Sequence, residues 1–99
     1  MTKIKKMSDQ IMDEVCGAKE YAEMYVESKA KGNQTWANRY REMSLDELKH
    51  AQYIHEATVS EIEEIRRVVT PPQEMLDKWE KLHADYVDKA AWVRQMLAL

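Results

Sequence analysis

Phenylalanine is missing from this sequence, and its 99 residues include only two glycines, two prolines and one cysteine. So few chain breakers leave little room for the turns of a sheet protein. Ala, Glu, Lys, Leu, Met and Arg, which all favour helix, dominate instead, and the expected class is all-α. The lone Cys16 excludes an intrachain disulfide, and one thiol has no metal-ligand spacing, so a reducing, cytoplasmic setting is expected. No apolar run approaches the roughly 20 residues of a membrane span. No apolar stretch follows Lys3, Lys5 and Lys6 to form a secretion signal, so no membrane partner is expected. An excess of one charge is lacking too. Fifteen basic and eighteen acidic residues are interleaved along the chain, which argues against the one-sided basic face of a nucleic-acid binder.

The chain has the length of one domain, residues 1–99, and a domain this small buries a modest share of its surface alone, so a homo-oligomer is expected. Three helices are predicted. The first covers about 3–31 and ends at Gly32-Asn33, residues that tolerate the left-handed conformation. The second covers about 34–69, some 50 Å of helix with no Gly or Pro inside. The third covers about 71–96, with Pro71 and Pro72 in its first turn and Thr70 and Gln73 as a capping box.

Placing residues at about 100° per step gives the faces expected to meet the core. On helix one these are Ile4, Met7, Ile11, Val15, Ala18, Ala22 and Tyr25. On helix two they are Trp36, Tyr40, Met43, Ala51, Ile54, Thr58, Ile62 and Ile65, and on helix three Met75, Trp79, Leu82, Tyr86, Ala90, Val93 and Leu97. Near-heptad spacing predicts a long antiparallel hairpin with a third helix packed as a bundle.

Glu47 falls in the middle of the helix-two stripe, where a plain core has Leu or Ile. An ionised side chain there costs several kcal/mol unless a cation or hydrogen bonds compensate. His50 follows one turn later, so Glu47-Leu48-Lys49-His50 is a Glu-x-x-His pair aimed at the core side. With the turn at Gly32, Glu14 comes level with residue 51, within reach of both. Glu20, Glu23, Glu27 and Asp13 point away and are expected to be solvated. One Glu from one helix and a Glu-x-x-His from the next is half of a carboxylate-bridged di-iron site. Carboxylates suit hard iron or manganese and bridge two ions, while imidazole completes each coordination sphere. Tyr21 and Tyr40 are candidate supporting hydrogen-bond donors.

Glu14, Tyr21, Glu47 and His50 together resemble the ligand pattern of the ferritin-like superfamily, which includes rubrerythrins, bacterioferritins and encapsulated ferritins, over roughly residues 8–68. The resemblance to encapsulated ferritins implies an iron site shared between two chains of a dimer or larger ring, with ferroxidase activity. Manganese or zinc are alternative occupants. Arg94 to Leu99 continues an amphipathic helix in place of a signal for an encapsulating shell. The chain is also similar to small ferritin-like proteins of bacterial and phage genomes, which imply no activity. The competing expectation is therefore a metal-free oligomeric assembly or adaptor protein of phage or mobile-element origin.

Helix three carries a second Glu-x-x-His, Glu80 to His83, displaced some 20 Å along the bundle from Glu47. A hydrogen-bonded core pair between Glu61 and His83 is expected there instead. His55 is expected to be a partly exposed bystander. Trp36, Trp79 and the methionines are expected in core and subunit contacts, and Trp92 at an oligomer interface.

Overall fold

The computed structural model describes residues 2–99 and contains three helices among them: α1 (Thr2–Ala30), α2 (Gln34–Val68) and α3 (Gln73–Leu97). They form an elongated bundle of 55 × 18 × 17 Å. The α1–α2 turn falls at Gly32, whose φ of 76° is the left-handed conformation that favours glycine. Asn33 caps α2 by accepting a hydrogen bond from the Trp36 amide at 3.3 Å.

The second turn differs from expectation. Helix α3 starts at Gln73, Pro72 is its N-cap, and no side chain caps it, so the Thr70–Gln73 capping box is not formed. The cause is steric: each of Thr70 and Pro71 precedes a proline, and the residue before a proline is pushed out of the helical region. The prolines therefore end α2 and delay α3 by two residues.

Helix α3 runs back beside α1 and touches α2 at few points. One apolar core joins Val15, Ala18, Ala22, Tyr25, Ala37, Leu48, Ala90, Val93 and Leu97, and a smaller one joins Ile4, Ile62 and Met75 at the other end. On α1 the expected face is the buried one, with Met7 half-buried. Trp79, Leu82 and Tyr86 of α3 are half-buried. Met1 lies outside the described residues.

On α2 the expected face is met in part: its Ala51, Thr58 and Ile62 are buried, but the buried face extends to one side of it. Ala37, Ser44, Leu48, Ala51, Thr58 and Ile62 are buried, whereas Trp36 and Met43 are 49% and 37% exposed. Small residues decide this. Ala37, Ser44 and Ala51 let the α2 backbone come close to α1, and the buried Ser44 hydroxyl donates to the Ala18 carbonyl at 2.7 Å. The larger side chains are displaced to the edge of the seam. Ser44→Ala should cost about 1 kcal/mol, because the Ala18 carbonyl keeps its helical partner and only the added bond is lost. A urea midpoint unchanged from wild type would show that the bond contributes nothing.

Candidate metal centre

Glu14, Glu47 and His50 meet on the α1–α2 edge that faces away from α3. Glu14 and Tyr21 lie on the same side of α1, and Glu47 falls between Tyr40 and Ile54 on the exposed side of α2. His50 Nδ1 is 3.5 Å from Glu14 Oε2 and 4.0 Å from Glu47 Oε1. One ligand atom from each residue lies within 4.8 Å of the other two, a spacing from which all three can turn onto one ion. The two carboxylate side chains are 29% and 28% exposed and the imidazole 55%, so the cluster lies at the surface rather than in the core. The buried face of α2, set by Ala37, Ser44, Leu48 and Ala51, lies to one side of Glu47 and His50, which accounts for this.

The carboxyl of Glu47 is held up to about 7. Hydrogen bonding to the Glu14 carboxyl is the main cause, followed by partial burial and the Glu14 charge, with His50 opposing. Two carboxyl groups this close cannot both ionise cheaply, so Glu47 keeps its proton well above the usual carboxylate range. A bound cation would take that proton's place.

Gly17 is a site residue that the sequence reading passed over. A Cβ built there would lie 3.1 Å from Glu47 Oε2, so the missing side chain makes room for this carboxylate against α1. A signal was available, since a glycine inside a helix costs about 1 kcal/mol relative to alanine. One that interrupts a 29-residue helix, a single turn from Glu14, needs a local reason.

The other expected participants are placed differently. Tyr21 and Tyr40 stack on one another with ring centroids 6.4 Å apart, and neither phenol bonds to the cluster. They form an aromatic wall beside it, extended by Trp36, which is 5.7 Å from Tyr40. Glu61 and His83 do not pair. Glu61 accepts from Lys3 Nζ at 2.9 Å, and His83 Nδ1 lies 2.8 Å from His55 Nε2. The reason is that α3 packs on α1, which brings His83 to the His55 side of α2 and leaves Glu61 on the opposite edge. His55 is half-buried, in keeping with its expected partial exposure, but it also contacts His83; burial, with His83 beside it, pushes its imidazole below the usual range. Trp92 is 40% exposed, with Lys19 Nζ 4.9 Å above its ring. Glu20, Glu23, Glu27 and Asp13 are exposed, as expected. Among the described residues, no helix is long and apolar enough to cross a membrane.

Fold and site together define a three-helix bundle with a surface Glu/Glu/His cluster able to chelate a metal ion. Compared with known proteins, the chain matches no family model, no curated protein and no solved structure.

Proposed function

We propose that this protein binds iron through Glu14, Glu47 and His50, with two copies pairing their clusters into one di-iron carboxylate site, and that it oxidises ferrous iron with oxygen there. The observation that carries this proposal is the convergence of three ligand atoms from two helices within 4.8 Å. The donor set fits the ion, because hard carboxylate oxygens dominate and one imidazole completes each half. Gly17 supports it by leaving room for the Glu47 carboxylate.

The pairing follows from what surrounds the cluster. Three protein ligands on one side leave an ion's coordination incomplete. Trp36 and Met43 are exposed on one side of it and Ile54 is half-buried on the other. A second copy, turned face to face, would cover these apolar groups and bring the second Glu/Glu/His set. In such a pair Glu47 would give up its proton and serve as the carboxylate between the two ions, with Glu14 and His50 of each copy as the remaining ligands. The bound iron pair would supply electrons to oxygen, and the protein would hold the charge of the ferric product with its carboxylates.

One observation favours a second reading, that of a metal-free assembly or adaptor protein. Among the described residues no buried side-chain nitrogen or oxygen lacks a partner, and Glu47, whose carboxyl is held up to about 7 by the adjacent Glu14, can keep its proton without a metal. Metal analysis and solution mass, before and after anaerobic addition of ferrous iron, separate the two. The iron reading expects about one iron per chain in a dimer or larger ring, and loss of that iron in a folded Glu47→Ala protein. No iron, or an unchanged stoichiometry in the variant, would overturn it.

A further inference from the structure

The two histidines away from the carboxylate cluster occupy the polar gap between the two apolar cores. His55 comes from α2 and His83 from α3, helices that otherwise touch at few points. The His55 ring is stacked on Tyr86 at 5.1 Å and 19° and tilted against Trp79 at 5.1 Å and 31°. Tyr86 packs against the larger core and Trp79 against the smaller one. The imidazole is therefore held in place from both ends of the bundle.

His55 Nε2 and His83 Nδ1 face each other at 2.8 Å, with ring centroids 4.9 Å apart. One of these nitrogens carries the proton and the other accepts it. Zinc–nitrogen bonds of about 2.0–2.1 Å at a tetrahedral angle separate two imidazole nitrogens by about 3.3 Å. The pair is thus within about half an ångström of the spacing needed to chelate one ion, and a turn of the exposed His83 ring would direct both lone pairs onto it.

We propose that His55 and His83 form a separate site for a borderline transition ion of the zinc class, one that fastens α3 to α2. Imidazole suits such ions, whereas the Glu14, Glu47 and His50 set suits hard ones, so the two sites select different metals. Proton balance is simple. The ring that donates in the metal-free state moves its proton to its outer nitrogen, both rings bind as neutral ligands, and no proton leaves the protein. Water fills the remaining positions. Binding bridges the thinnest seam of the bundle, so zinc stabilises the folded chain by acting on the docking of α3.

The test uses the full chain with Glu47→Gln and His50→Gln. These changes remove the carboxylate cluster and leave His55 and His83 as its two histidines. Zinc titration by calorimetry should give about one ion per chain. The thermal midpoint should rise with zinc concentration, and X-ray absorption of the bound zinc should show two imidazoles. Adding His83→Ala, at an exposed position, should abolish both uptake and the thermal shift. Absence of zinc uptake in the parent variant, or uptake undiminished by His83→Ala, would overturn the proposal. If His83→Ala fails to fold, the absorption spectrum of the parent decides: a zinc shell without two imidazoles is then the overturning result.

Discussion

Glu47→Gln should make the metal-free protein more stable at pH 8, by up to about 3 kcal/mol, since each unit of pKa shift is worth about 1.4 kcal/mol. In the folded chain the Glu47 carboxyl is held up to about 7, against 4.5 ordinarily. Between those values the folded state binds the proton and the unfolded state does not. The stabilisation is therefore complete below about 4.5 and is lost as pH rises through about 7. Above that, the ionised Glu47 carboxylate is disfavoured by the adjacent Glu14. Glutamine is neutral throughout and keeps the polar contacts, so it escapes the penalty. Urea unfolding in the presence of a chelator at pH 5, 6, 7 and 8 provides the check. The stability difference between variant and wild type should widen across that series. A constant difference would mean that Glu47 does not hold its proton in the folded chain. With iron present the order should reverse, because wild type then gains the binding free energy of the ion and the variant does not.

On the proposed iron-binding reading, Gly17→Leu should abolish iron uptake while leaving the fold intact. Even a bare Cβ at this position would lie 3.1 Å from Glu47 Oε2, and the neighbouring group is the flexible end of a side chain rather than backbone. Alanine is therefore tolerated with a small displacement of the carboxylate. It should stabilise the helix by up to about 1 kcal/mol through propensity alone. Leucine has a similarly favourable propensity, but its branched side chain fills the space that the carboxylate occupies and forces Glu47 away from Glu14 and His50. Circular dichroism and metal analysis on the two variants separate these effects. A Gly17→Leu protein that is helical and still loads iron like wild type would mean that the space beside Glu47 plays no part in binding.

The Glu14, Glu47 and His50 cluster was legible in the sequence because its geometry depends on helical spacing and one turn. Glu47 and His50 share a face whatever the packing, and the left-handed Gly32 sets which residues of α1 and α2 come level. Gly17 was equally visible and passed over, since helix periodicity assigns meaning to side chains and a glycine has none. The burial of the cluster was not legible. Periodicity shows that α2 has a broad apolar arc, but which part of it meets α1 depends on how closely the two backbones approach. Ala37, Ser44 and Ala51 set that distance only in the presence of their neighbours.

The sequence by itself determined the all-α class, the three helices and the first turn, because propensity, periodicity and chain breakers act over a few residues. It also determined that Glu14, Glu47 and His50 come together. Tertiary structure alone decided that α3 lies along α1, that Glu61 pairs with Lys3, and that His83 meets His55 between the two cores. Those pairings depend on which helix faces fit together after the helices have formed, not on spacing within one helix or on a single short turn.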